Sequence, residues 1–147
     1  FKHFVPMEIV ANFKLMKLLS NYPTEVLILL FLIVTFLQSG IDKLLDWKGN
    51  VSFITGHFKN SPLKNGVPLL LAIILILEIV AGFLMLFGVY QLYTSGLKEI
   101  ALLGIELCAV TLIFLLIGQR LAKDYAGAMS LAVYFIITLL GVYLLNS

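Results

Sequence analysis

Two carboxylates, Glu78 and Glu106, stand deep inside long apolar stretches of this 147-residue chain, and the amide of Gln38 stands inside a third. A carboxylate in hydrocarbon costs at least a few kcal/mol on insertion scales, so it must be protonated, hydrogen-bonded or turned toward a polar cavity. A buried acid can also take up or release a proton coupled to redox chemistry. That is the chemistry expected at Glu78, with Gln38 and Glu106 as further polar groups at depth. The plainer reading is a protonated Glu78 that bridges two helices through a hydrogen bond of about 1 kcal/mol.

The elements that must hold these groups are transmembrane helices. Apolar residues make up 61% of the chain, charged residues 12%, and mean hydropathy is +1.07, whereas a soluble domain is roughly half apolar. A helix needs roughly 20 apolar residues to cross about 30 Å of hydrocarbon. Four segments qualify, over about 25–45, 67–90, 97–118 and 125–145. The expected fold is an all-α membrane protein, a four-transmembrane-helix bundle (25–147) preceded by a short amphipathic interfacial segment (1–24). Pro6, Pro23, Pro62 and Pro68 all fall outside or at the start of the segments, where a missing N–H does least harm. Tyr22, Trp47, Tyr90 and Tyr93 fall near segment ends and read as headgroup-level anchors.

Within the first 24 residues, Ile9, Val10, Phe13, Met16 and Leu19 recur at roughly helical intervals, with Lys14 and Lys17 elsewhere on the wheel. This predicts a helix lying on the membrane surface rather than a secretory signal.

Helical geometry separates the two carboxylates. Glu78 shares a face with Gly82 and lies about 60° from Ala81, so it is expected to point into the bundle, where small residues let helices approach. Ala101, Gly104 and Cys108 form a small-residue stripe in the third segment, and Glu106 is rotated roughly 140° from Ala101. Glu106 is therefore expected to face another neighbour, a partner protein included. Gly82, Gly88, Gly104 and Cys108 read as helix-packing positions.

Four crossings put the N-terminal segment, the turn at 94–96 and the C-terminus on one side of the membrane. The loop at 46–66 and the short turn at 119–124 share the other. Lys and Arg number four on the first side and six on the second, too even a split for the positive-inside rule to orient the chain. The long loop carries Gly, Asn and Pro for turns, with Phe53, Ile54 and Phe58 apolar enough to fold back over helix ends. It reads either as an ordinary connector or as a short capping element. Asp42, Lys43, Asp46, Arg120, Lys123 and Asp124 converge on this side as an expected ionic cap, a solvated helix end in its plainer reading.

Several chemistries are excluded. One cysteine, Cys108, forms no intrachain disulfide or dithiol pair. His3 and His57 have no partner at metal-site spacing, and no phosphate loop, HExxH or GxSxG pattern occurs. No metal, nucleic acid or chain-borne cofactor is expected.

Three segments together resemble the DoxX-like family of small four-helix membrane proteins. FLQSGIDKLLDW (36–47) is similar to the family's first-helix ending, where a glycine precedes a lysine by three positions. LEIVAGFLMLFGVY (77–90) resembles its second helix, a glutamate followed by spaced glycines. QRLAKDYAGAMSLAVYFIITLLGVYL (119–144) resembles its basic loop and closing helix. The resemblance places Gly40, Lys43, Glu78, Gly82 and Gly88 on the family pattern. This chain departs from the pattern early in the first helix, with no arginine or lysine between Pro23 and Leu37.

The resemblance implies a redox-associated role at a bacterial inner membrane, because the family name attaches to thiosulfate oxidation with quinone as acceptor and to membrane oxidoreductase assemblies. Two functions follow as expectations. The first is a non-catalytic accessory subunit of a larger membrane complex, in contact with lipid and other membrane subunits or with copies of itself. The second is a small quinone-linked oxidoreductase with Glu78 handling the proton and a membrane quinone or lipid as ligand. A channel or transporter has less support, since no internal repeat or proline-broken segment appears.

Overall fold

The computed structural model describes residues 6–147, and the first five residues lie outside it. Six helices follow one another: α1 (Met7–Asn21), α2 (Pro23–Leu45), α3 (Trp47–His57), α4 (Val67–Ser95), α5 (Glu99–Leu121) and α6 (Tyr125–Leu145). Four of them, α2, α4, α5 and α6, are long and apolar enough to cross a membrane. Their outer faces expose large apolar side chains throughout, among them Leu27, Val34, Phe83, Phe87 and Ile136. In water such a surface would be a large unburied patch; in lipid it meets its own kind.

Helix boundaries are set by local chemistry. Pro23 and Pro68 occupy first-turn positions of α2 and α4, where no intrahelical N–H bond is lost. Gly96 closes α4 in the left-handed region (φ 73°), its N–H reaching the carbonyls of Gln91 and Leu92, a conformation glycine adopts without a Cβ clash. The Gln91 side-chain oxygen then accepts from the Ile100 N–H, satisfying a donor in the first turn of α5. Asp46 and Asp124 cap α3 and α6 through the N–H groups of Gly49 and Gly127.

Helix α4 is the hub, packed most extensively on α5 and then on α2, while α6 closes the bundle against α5 and α2. Leu29, Leu32, Met85, Ile105 and Cys108 are fully buried at the centre. The α4–α5 seam is the closest: a Cβ on Gly88 would collide with the Ala101 backbone, and one on Gly104 would press on the Met85 backbone. Cys108 Sγ lies 3.5 Å from Met85 Sδ in that seam. The small-residue stripe of α5 thus does what close helix approach requires.

One stretch differs from the connector reading. Residues 47–57 form the helix α3, started by Asp46 and tied back by the Asn50 amide, which donates to the carbonyls of Asp42 and Asp46. α3 packs on α2 and α4. Helix α1 covers part of α2 and α4, burying Leu18 and leaving Ile9, Phe13 and Met16 exposed. At the α1 end, Tyr22 donates to the Gly96 carbonyl and Lys98 to that of Ser147, so the α4–α5 turn and the C-terminus sit together as four crossings require.

Candidate functional site

The α2–α4 seam is built by reciprocal insertion. Ile79 of α4 lies against Gly40 of α2, and Leu37 of α2 lies against Gly82 of α4, each glycine leaving the space the other helix fills. This register brings Ser39 and Lys43, one turn apart on α2, against Glu78 on α4. Lys43 Nζ is 2.8 Å from Glu78 Oε1 and 2.7 Å from Ser39 Oγ, and Ser39 Oγ donates to Glu78 Oε2 at 2.8 Å. Each carboxylate oxygen therefore has a donor, and the ammonium balances the charge that burial leaves unsolvated. Glu78 is only 4% exposed.

This arrangement corrects two expectations. Lys43 is turned inward to Glu78 rather than outward into an ionic cap, because its four-carbon stem reaches from the last turn of α2 into the seam. Gln38 is exposed on the outer face of α2, and the polar companion of Glu78 on that helix is its neighbour Ser39. Glu106 is exposed on α5 and does not join Glu78.

The rest of the expected cap divides as well. Asp124 caps α6 and approaches His57 Nε2 at 3.4 Å, while Arg120 lies over the Tyr125 ring. Asp42 and Lys123 are exposed, and among the described residues neither makes an ion pair. Lys123 has φ 60°, turning the chain between α5 and α6.

A second polar group arises from α3. His57, at its end, places Nε2 2.9 Å from Gln119 Oε1 of α5, with its ring 5.3 Å edge-on to Phe58 and 6.4 Å stacked over Phe53. With the Nε2–H tautomer the ring donates toward Gln119 and Asp124. Sequence reasoning missed His57 and Gln119 as partners, since the contact exists only once α3 folds over the α4–α5 end.

Between the two polar groups lies a cavity of about 650 Å³, within the roughly 300–1,000 Å³ range of small-molecule sites. Its walls are mainly apolar, with Leu71, Ile74, Phe114 and Ile117 among them, and Lys43, His57, Gln119 and Asp124 supply its polar atoms. Gly118 also lines it, opposite the Phe58 ring. The donor set fits an apolar molecule with carbonyl acceptors at its head: an ammonium is a hydrogen-bond donor, and an imidazolium whose Nε2–H is engaged by Gln119 and Asp124 carries a second donor on Nδ1, while the hydrocarbon wall suits a lipid-soluble tail. A quinone meets that description. Among the described residues no group of three or more metal-ligating side chains is gathered.

Fold and site together define a multi-pass four-helix membrane protein with a lipid-contacting exterior and a polar pair buried in one helix seam. The DoxX family model matches residues 26–119, well over half the chain, and the chain belongs to the DoxX family. The matched stretch contains α3, α4 and nearly all of α2 and α5, and with them Lys43, His57, Glu78 and Gln119; α6 lies beyond it. No curated protein and no solved structure matches the chain.

Proposed function

We propose that this protein is a quinone-binding subunit of a redox-linked assembly in a bacterial inner membrane, holding the quinone in the cavity between α3, α4 and α5. The observation that carries the reading is the convergence of Lys43 and His57, from different elements, on one largely apolar cavity at the membrane edge. A quinone contributes two-electron, two-proton redox chemistry when bound. The chain's own residues bind and orient it. Lys43 turns toward one ring carbonyl the N–H that otherwise reaches only the Ser39 carbonyl at 3.4 Å, and the His57 imidazolium, its Nε2–H held by Gln119 and Asp124, offers Nδ1–H to the other. Phe114 and Ile117 receive apolar atoms, and α3 shields the head from water. Ser39 and Glu78 hold Lys43 in place and give it a hydrogen-bonded connection to the seam, a short route along which a proton can be held.

The accessory-subunit reading and the quinone reading join here, because the electron donor is assigned to another subunit. Binding of decylubiquinone to the purified protein in detergent, followed by quenching of Trp47 fluorescence, tests the proposal. Saturable binding that Gly118→Leu abolishes and His57→Ala weakens is expected. Binding unchanged by Gly118→Leu would mean that the quinone partitions into the micelle and the proposal fails.

A further inference from the structure

Helix α5 carries a second acidic feature, on its outer face. Glu99, Leu103, Glu106, Val110 and Ile113 follow one another at alternating steps of four and three residues and are all exposed. That spacing is the seam pattern of two helices packed side by side, yet this stripe faces away from α4 and α6. Glu106 lies seven residues inside α5, about 10 Å along its axis, with fifteen residues of the helix still to come. Among the described residues neither Glu99 nor Glu106 has a hydrogen-bond or ion-pair partner.

Intramembrane carboxylates almost always face a protein interior, a water-filled cavity or an opposite charge. Glu78 obeys that rule inside the bundle, through Lys43. Glu106 satisfies it only if something outside this bundle covers it. Glu99 falls two turns away on the same stripe, so the uncovered surface presents two acids about 10 Å apart, flanked by Leu and β-branched knobs and carrying no cation of its own. A second copy related by a two-fold axis would set Glu99 against Glu99 and Glu106 against Glu106, like against like.

We infer that the outer face of α5 is a docking seam for a transmembrane helix of another protein that presents two cationic side chains two turns apart. The charge pattern selects the occupant: the inner cation pairs with Glu106 in hydrocarbon, the outer one with Glu99 near the headgroups. Leu103, Val110 and Ile113 supply the apolar contact between and beyond the two pairs. Because the spacing of the cations is symmetric, either orientation of the partner helix satisfies both acids.

The probe is a synthetic leucine–alanine transmembrane helix carrying two arginines seven residues apart, and a control helix with leucine at both places. Energy transfer from the labelled protein to each helix is measured in phosphatidylcholine vesicles. The arginine helix is expected to associate about tenfold more tightly than the control, in line with model interhelical polar contacts. Glu106→Leu is expected to reduce it to the control level, and Glu99→Leu to remove part of the difference. Unchanged protection of the buried Cys108 from a maleimide in Glu106→Leu shows that the bundle is intact. Equal association of the two helices, or an arginine preference that survives Glu106→Leu, overturns the inference. Energy transfer between two copies of the protein that Glu106→Leu abolishes also overturns it, by making the seam a self-association surface.

Discussion

Lys43 Nζ and Glu78 Oε1 lie 2.8 Å apart in the α2–α4 seam, with Ser39 bonded to both side chains. The pair exists because two glycines, Gly40 and Gly82, let Ile79 and Leu37 interlock and fix the register of the two helices. The charges are unequal in their freedom. Lys43 is two residues from the end of α2 and its side chain keeps 14% of its surface exposed, whereas Glu78 lies inside α4 with 6%.

Removing one partner of a buried pair costs about 3–5 kcal/mol, since the other charge is left uncompensated. Lys43→Met should approach that range, because Glu78 has no route to water. Glu78→Gln should cost visibly less, because the lysine stem can swing its ammonium toward the membrane edge. The double variant Lys43→Met with Glu78→Leu should be more stable than Lys43→Met alone. Reversible unfolding in mixed micelles measures all three; equal losses for the two single variants would show that the Lys43 ammonium has no route to the membrane edge and is held as firmly as Glu78.

The two seams of α4, with α5 and with α2, predict a graded response to added methyl groups. At Gly88 a Cβ meets the backbone of Ala101, which has no rotamer to change, while at Gly82 it meets the flexible end of Leu37. Overpacking costs about 1–3 kcal/mol, so Gly88→Ala belongs at the upper end and Gly82→Ala at the lower. Cys108, fully buried in the α4–α5 seam that also holds Gly88, reports the difference. A maleimide should fail to label it in the native protein, label it slowly in Gly88→Ala, and label it fully once the protein is unfolded in SDS.

How much of this was legible in the sequence follows from the range of each signal. Hydropathy and proline placement locate α2, α4, α5 and α6, since those signals lie within one element. The inward aim of Glu78 is readable from Gly82 one turn later. Its pairing with Lys43 is not, because that depends on the register of α2 against α4, which no single-helix pattern contains; Gln38, one residue from Ser39, falls on the outer face for the same reason. The nearest signal was the joint appearance of Gly40, Lys43, Glu78 and Gly82 in the family resemblance. α3 was hidden by Gly49 and Gly56, poor helix formers, although Asp46 three residues before Gly49 is an N-cap signal. His57 became a site residue only when that helix carried it to Gln119.

Quinone binding should separate the two polar groups of the cavity. His57→Ala removes the Nδ1–H donor of the imidazolium from the wall without touching the α2–α4 seam, so decylubiquinone affinity should fall about tenfold, the worth of roughly one hydrogen bond, with a loss of stability well below that of Lys43→Met. Lys43→Met should lower affinity and stability together. If His57→Ala leaves affinity intact, the quinone head lies at the Lys43 end alone.

Gly127 offers a test that reaches the cavity from its far side. Asp124 uses one carboxylate oxygen to cap α6 through the Gly127 N–H and turns the other toward His57. A Cβ at Gly127 would fall 2.6 Å from Asp124 Oδ2 and 2.8 Å from Gln119 Nε2, atoms of the two side chains that hold His57 in position through Asp124 Oδ2 and Gln119 Oε1. Gly127→Ala therefore pushes the two partners of the imidazole aside while favouring the helix itself, where alanine is worth up to about 1 kcal/mol over glycine. The expected variant keeps a stable α6 and binds decylubiquinone more weakly. Asp124→Asn gives the comparison, because an asparagine still caps the helix and loses only the charge facing His57. Weaker binding in both variants, with helix stability preserved, would assign the effect to the imidazole's support; weaker binding only in Gly127→Ala would assign it to the displaced Gln119.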